Sequence, residues 1–255
     1  FKPIFGCEVY VARRGKEEKT DKKLDLGGNH LILLAKNFHG YKNLIQLVSR
    51  AWVDGFYGKP RTDHADLERF HEDLICCSAC IAGEVQSKIL RGDIEGAKES
   101  VQWFKNLFGD DYYLELQRHE VKDPRQRANR ETFPLQQEAN KWLIELAREY
   151  GIKLICSNDS HFVDEDDAEA HDHLLCLATG KDLDDPTRML YSKQEWFKTR
   201  EEMNEVFKDI PEALANTCEV LDKVETYNIE SDPIMPFFPI PEDFGTEEEW
   251  RRKFS

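Results

Sequence analysis

Short apolar runs of strand type alternate along this chain with longer stretches in which apolar positions recur every three to four residues. The runs at 4–11, 31–35, 74–77, 112–117, 152–156 and 189–192 are predicted strands. Between them, Tyr41, Leu44, Ile45, Val48, Ala51 and Trp52 keep a helical period, as do Ala97, Val101, Phe104 and Phe108. Asp93 and Gly109 are the residue types that start and stop the second of these helices. The clearest stripe, Leu135, Ala139, Trp142, Leu143, Leu146 and Tyr150, ends at Gly151 directly before the next strand. Thr199 and Glu202 make a capping box, and Pro211 opens a last helix through Leu214, Cys218 and Leu221. This alternation predicts an α/β fold of parallel βα units, as a doubly wound sheet or a barrel.

After Val224 the pattern is lost. Pro233, Pro236, Pro239 and Pro241 interleave with Ile234, Met235, Phe237, Phe238 and Ile240, which excludes helix and central strand. An extended connector whose aromatics lie against a neighbouring domain is the expectation, with a polyproline ligand as the alternative. The acidic, then basic stretch 247–253 reads as a helix cut short. The predicted division is 1–224 for the folded domain and 225–255 for the connector.

The chain of 255 residues, 40% hydrophobic, is long enough for one large domain and rich enough for a real core. No run approaches the ~18 apolar residues of a spanning helix, and none resembles a signal peptide. The 50 acidic against 35 basic side chains leave a net charge of −15, a field that repels DNA. A nucleic-acid function would therefore rest on local basic residues, metal ions or parts outside this chain. The 7 cysteines (7, 76, 77, 80, 156, 176 and 218), unevenly spaced, read as free thiols of a reducing cytosol. Phe1 opens inside an apolar strand-like segment, so the chain is expected to begin mid-domain.

In βα architectures, polar residues just past the C-terminal ends of strands collect on one rim. Three predicted strand ends carry metal-type ligands: Ser78-Ala79-Cys80, Arg118-His119-Glu120, and Ser157-Asn158-Asp159-Ser160-His161. With Glu8 and His30 the set becomes Glu, His, Cys, Asp and His, mixed donors that suit zinc, manganese or iron. Each alone is weak, an Asp-x-His being more often a surface loop, and only convergence on one rim would make a site.

Other candidates are set aside. Cys77-x-x-Cys80 lacks a second pair for a zinc ribbon, so Cys77 is expected to be buried. His171 and His173, two apart on a predicted helix, face nearly opposite sides. Thr62-Asp63-His64 has no strand in front of it and reads as a loop. Asp164 to Asp167 suit a helix's first turn. Arg13, Arg14, Lys16, Lys19, Lys22 and Lys23 form the only long basic stretch, expected as a solvated hairpin tip, with phosphate contact as the alternative.

The chain resembles the PHP (polymerase and histidinol phosphatase) domain of bacterial replicative DNA polymerase III alpha subunits. The resemblance runs through Pro3-Ile4-Phe5-Gly6-Cys7-Glu8, the segment from His30 to Asn37 with Gly40-Tyr41-Lys42-Asn43-Leu44, Cys80-Ile81-Ala82-Gly83-Glu84-Val85 and Tyr113-Leu114-Glu115-Leu116 to His119. It continues through Ser157-Asn158-Asp159-Ser160-His161-Phe162, Asp167, His171, Leu174-Leu175-Cys176 and Thr179-Gly180-Lys181, nearly the whole chain. It implies a distorted (βα)7 barrel with metal ligands Glu8, His30, Cys80, Asp159 and His161, and with His119 at the rim beside them. The family's opening His-x-His, a following acidic ligand and its Thr-Asp-His segment would fall upstream of Phe1. The resemblance therefore implies a fragment without its first strand, with an incomplete cluster and an open sheet edge.

For intact relatives it implies up to three divalent ions, zinc or manganese with iron or magnesium as further candidates. The implied chemistry is phosphodiester hydrolysis, a 3′–5′ proofreading exonuclease. The implied setting is cytoplasmic chromosomal replication, with DNA, a separate proofreading exonuclease subunit and other holoenzyme subunits as partners. Polymerisation would need palm carboxylates that this chain lacks. The alternative is a structural module that braces the polymerase and docks the exonuclease. A stand-alone PHP phosphatase fits less well, given the segments 30–52 and 182–188 and the Pro-rich exit.

Overall fold

The structure, a computed structural model, describes residues 2–121, 131–237 and 245–254. It has six strands: β1 (Gly6–Val11), β2 (Asn29–Ala35), β3 (Arg61–Thr62), β4 (Leu74–Cys77), β5 (Tyr112–Leu116) and β6 (Lys153–Cys156). They form one sheet in the order β3-β1-β2-β4-β5-β6. β4, β5 and β6 are parallel, as is β3 to β1, but β2 runs antiparallel to both β1 and β4. The expected all-parallel pattern thus fails at β2, which a loop of 17 residues (12–28) joins to β1 as a hairpin arm without a crossover helix. One consequence shapes the site. The N-terminal end of β2 lies at the rim formed by the C-terminal ends of the other five strands.

Strand alternation separates two cores. Val9, Val11, Leu31, Leu33, Cys76 and Leu114 face a layer of helices, α2 (Phe38–Val53), α3 (His64–Phe70), α4 (Glu84–Leu90), α5 (Ile94–Phe108) and α6 (Phe133–Tyr150). Ile32, Leu34, Ile75, Cys77, Tyr113 and Ile155 face the other way, towards Val220 and Val224. Val220 belongs to α9 (Pro211–Lys223). Glu8 pairs opposite Ile32 and shares this second face with His30.

The predicted helices form where capping chemistry marks them. Asp93 accepts from Gly96 N at the start of α5, and Gly109 takes φ 58° at its end. Ala97, Val101, Phe104 and Phe108 are its buried stripe. α6 ends on Gly151 at φ 62°, and α8 (Arg200–Val206) starts on the Thr199–Glu202 capping box. In α9 the buried positions are Ala213 and Val220, while Cys218 and Leu221 are exposed. The 7 cysteines are free thiols, with Cys77 buried.

Three local expectations are corrected. No strand forms at 189–192. Ser192 N and Oγ both donate to Glu195 Oε1, and Lys193 takes φ 67°, so local hydrogen bonds replace a ladder. Thr62-Asp63-His64 is not a plain loop: Arg61 and Thr62 form β3, and Asp63 caps α3 by accepting from Asp66 N. The basic stretch is not simply solvated. It spans the loop that carries α1 (Lys22–Asp25), where Arg14 forks onto Asp25 and Lys16, 5% exposed, pairs with Asp66.

Glu84 ties three helices together, accepting from His64 of α3, Ser100 of α5 and Lys88 of its own helix. Burial alone would raise its carboxyl. His64, Ser100 and Lys88 outweigh that and hold it at about 2, below its ordinary 4.5. A depressed carboxyl adds stability that is present above pH 4.5 and lost as pH falls towards 2, at most about 3 kcal/mol. Between about pH 7 and pH 3 the wild type should lose about 2 kcal/mol that Glu84→Gln does not lose. Urea midpoints at the two pH values check this, and equal acid losses in both proteins would refute it.

The segment 225–237 has neither helix nor strand, as its prolines predict. It starts against the core, where Glu225 N donates to Lys36 O and Tyr227 OH to Ala35 O. Ile234, Met235 and Phe237 are exposed, whereas Phe238, Pro239, Ile240 and Pro241 lie outside the described residues. α10 (Glu247–Phe254) forms where the acidic-to-basic stretch predicted a helix. No described helix is long and apolar enough to cross a membrane.

Candidate metal centre

Glu8 and His30 meet because the β1–β2 register sets them diagonally on one face, with Glu8 Oε1 2.7 Å from His30 Nδ1. Cys80 reaches the same nitrogen at 3.6 Å. It is carried on the turn after β4, where Ala79 takes φ 62° and His30 N donates to Ala82 O. Gly83 closes that turn: a Cβ there would sit 2.2 Å from Ser78 O, so no larger residue fits. Hydrogen bonds with Cys80 and Glu8 push the His30 ring up to about 10, and the His30 bond draws the Glu8 carboxyl down.

Asp159 and His161 form a second group on the loop after β6. Asp159 is held at φ 47°. His161 Nδ1 donates to the Asp159 carbonyl at 2.6 Å, which fixes the ring tautomer and leaves Nε2 to accept from Tyr191 OH at 3.1 Å. Burial raises the Asp159 carboxyl, with Glu8 and Glu195 adding to the rise and His161 opposing it. The two groups therefore feel each other's charge across one rim.

The segment from Ser192 to Phe197 straps this loop down. His161 N donates to Glu195 O, Asn158 Nδ2 to the carbonyls of Gln194 and Trp196, and Ser160 Oγ to Trp196 O. Beneath lies His119, 3% exposed, accepting from Gln136 on Nδ1 and donating from Nε2 to Asn158 O. Burial lowers its pKa, so the ring is neutral and both nitrogens are occupied.

The donor types suit a divalent ion, oxygen, nitrogen and sulfur together. Their placement does not converge: among the described residues no group of three or more His, Cys, Asp or Glu could hold an ion. Glu8, His30 and Cys80 satisfy one another, and Asp159 with His161 stands apart. His171 packs against His161 at 5.7 Å between ring centroids, while His173 turns its Nδ1 to Glu169 O.

Sequence reasoning missed three residues. Glu115 is a buried carboxyl on β5, raised by burial and bonded by Ser157 Oγ. An acid inside an otherwise apolar strand was a usable signal. Tyr191, pushed up to about 12 by burial and the charges of Asp159, Glu195 and Glu8, lies among the candidate ligands. Glu195, 2% exposed, faces His119 at 3.5 Å. For these two no local pattern existed, because a loop brings them in.

The sheet is a mixed α/β one, and residues 1–119 match the family described as the PHP domain. The relatives that match nearly the whole chain are DNA polymerase III alpha subunits. The chain is 43% identical to DNA polymerase III subunit alpha of Borreliella burgdorferi over 247 residues, 96% of this chain and 20% of the relative. Against the same subunit of Treponema pallidum it is 36% identical, covering 98% of this chain and 21% of the relative. Thermus aquaticus has another at 36% identity, covering 100% and 20%. The chain thus spans about a fifth of the length of the curated relatives it matches.

Proposed function

We propose that the chain serves chromosomal DNA replication in the cytoplasm as the PHP portion of a polymerase III alpha subunit. In this reading residues 1–224 are the PHP domain and 225–255 lead towards the polymerase palm, the site of nucleotidyl transfer. Its partners are then DNA, a proofreading exonuclease subunit and the rest of the holoenzyme. The rim is read as a metal site for 3′–5′ phosphodiester hydrolysis. The observation that carries this is the contact of Glu8 and Cys80 with one His30 nitrogen, on the same rim as Asp159 and His161.

Glu8, His30, Cys80, Asp159 and His161 would hold the ion, zinc or manganese before iron or magnesium, with up to three ions once further ligands join. A bound divalent ion supplies positive charge that acidifies water and stabilises phosphate oxygens. The chain's own residues prepare for it. His30 must give up its proton to ligate, so binding releases protons. The Asp159 carbonyl holds the proton on His161 Nδ1 and keeps Nε2 as the donor atom, while Tyr191 OH must swing off that nitrogen. His119 and the Ser192–Phe197 strap keep Asp159 at its unusual backbone angle. A second reading, a structural module that docks the exonuclease, is favoured by the way Glu8, His30 and Cys80 satisfy one another.

Equilibrium dialysis of the full-length subunit against manganese and zinc, followed by elemental analysis, tests the site. Asp159→Ala with His161→Ala should lower the bound metal, and unchanged stoichiometry overturns the assignment. The 255-residue chain by itself should release almost no nucleotide from a primer 3′ end with manganese. Robust release would refute the need for ligands outside it.

A further inference from the structure

β2 presents consecutive residues to opposite faces, so where His30 joins the candidate metal centre, Asn29 turns to the helix layer. There it lines a cavity of about 560 Å³ at the same rim, outside the donor set. Arg13 and Arg14 from the β1–β2 loop and Lys88 and Arg91 at the end of α4 supply the cationic part of the wall, beside His64 of α3. In a chain of net charge −15 this concentration of positive groups stands out.

The wall's polar groups divide into those already occupied and those that are not. Asp63 accepts from Lys16 N and Asp66 N, and Glu84 from His64, Ser100 and Lys88, so the two wall carboxylates are engaged. Arg14 is forked onto Asp25. Arg13, by contrast, gives one N–H to Leu24 O and meets no carboxylate, and the Arg91 guanidinium has neither hydrogen bond nor ion pair among the described residues. Asn29 is only 6% exposed, yet its side-chain amide has no partner among the described residues. An amide without a partner, a guanidinium without an acceptor and a second with N–H groups to spare, lining one cavity, are donors for a compact anion.

We propose that this cavity binds a phosphate group, carried by a free nucleotide or by a DNA strand. Arg13 and Arg91 supply planar forks matched to phosphate oxygens, and the Asn29 amide donates from the floor. The volume leaves room for the attached sugar and base. The site needs no metal and goes beyond the hydrolytic reading of the rim. It also gives the basic stretch and the Asp63-His64 turn a shared role.

The test is equilibrium binding to the 255-residue chain in EDTA, which silences the metal centre. The probes are inorganic phosphate, dAMP and a 5′-phosphorylated oligothymidylate. Saturable binding that weakens at least tenfold in Arg13→Ala with Arg91→Ala, and is unchanged in Lys208→Ala, which removes an exposed positive charge outside the cavity, supports the proposal. If dAMP binds as well as the oligonucleotide the ligand is a nucleotide; if only the oligonucleotide saturates, it is a strand. For the strand, each arginine removed should reduce the salt slope of log K by about 0.7. Arg13→Lys with Arg91→Lys should retain part of the affinity, showing that fold loss is not the cause. No saturable binding of any probe, or binding indifferent to the arginine variants, overturns the proposal. Failure in EDTA alongside intact metal uptake would leave the hydrolytic reading standing.

Discussion

Replacing Arg61 by alanine will destabilise the protein by about 4 kcal/mol, among the largest effects available to a single polar substitution. Arg61 is 0% exposed, and its guanidinium donates to four backbone carbonyls: Gly55, Asp25, Lys16 and Glu18. Three of these lie in the loop that joins β1 to β2. That loop has little regular structure of its own, so the buried fork serves as its internal scaffold. Truncation leaves three buried carbonyls, those of Gly55, Asp25 and Lys16, and the part-buried one of Glu18 without their donor, and each buried loss costs ~1 kcal/mol or more. Arg61→Lys should recover only part, because a single ammonium cannot reach in the fork's directions. Urea denaturation midpoints measure both variants. A loss below ~1 kcal/mol in Arg61→Ala would show that the loop is held by something else. The site should respond as well, since Glu8 and His30 sit on the two strands this loop connects.

Asp66→Ala is expected to cost about 3–5 kcal/mol for a different reason. Asp66, 1% exposed, takes Lys16 on one oxygen and Arg50, at 2.9 Å, on the other. Without it, Lys16 is left as a buried charge with no carboxylate. Lys16→Met combined with Asp66→Leu removes both charges and should restore most of the lost stability, since an apolar pair avoids the desolvation cost. If the double variant is as unstable as Asp66→Ala, the charge argument is wrong and packing is the cause. The two clasps meet at Lys16, whose carbonyl serves Arg61 and whose amine serves Asp66, so their effects should not add.

Much of this was readable residue by residue. The helical stripes of α5 and α6 and their glycine stops needed only period and capping rules, because a cap is satisfied within four residues. The donor types of Glu8, His30, Cys80, Asp159 and His161 were visible, as was the lack of helix and strand in 225–237. The strand at 189–192 was misread because Leu190 and Tyr191 look like strand residues, while Ser192 and Glu195 satisfy the backbone locally. Lys16 was misread because a lysine in a charged run gives no local sign of a buried partner 50 residues away.

What the sequence determined by itself is what short-range chemistry decides: which segments pair or coil, where helices start and stop, and which side chains carry donors for a cation. What only the tertiary structure decided is which of them meet. The antiparallel placing of β2 brings His30 to Glu8 and turns Asn29 into the neighbouring cavity. It follows from side-chain alternation along a strand whose direction no local pattern records. The loop that carries Tyr191 and Glu195 to the rim likewise answers to hydrogen bonds with a residue 30 or more positions earlier. Contacts of that span are set by the packed sheet and leave no periodic trace in the chain.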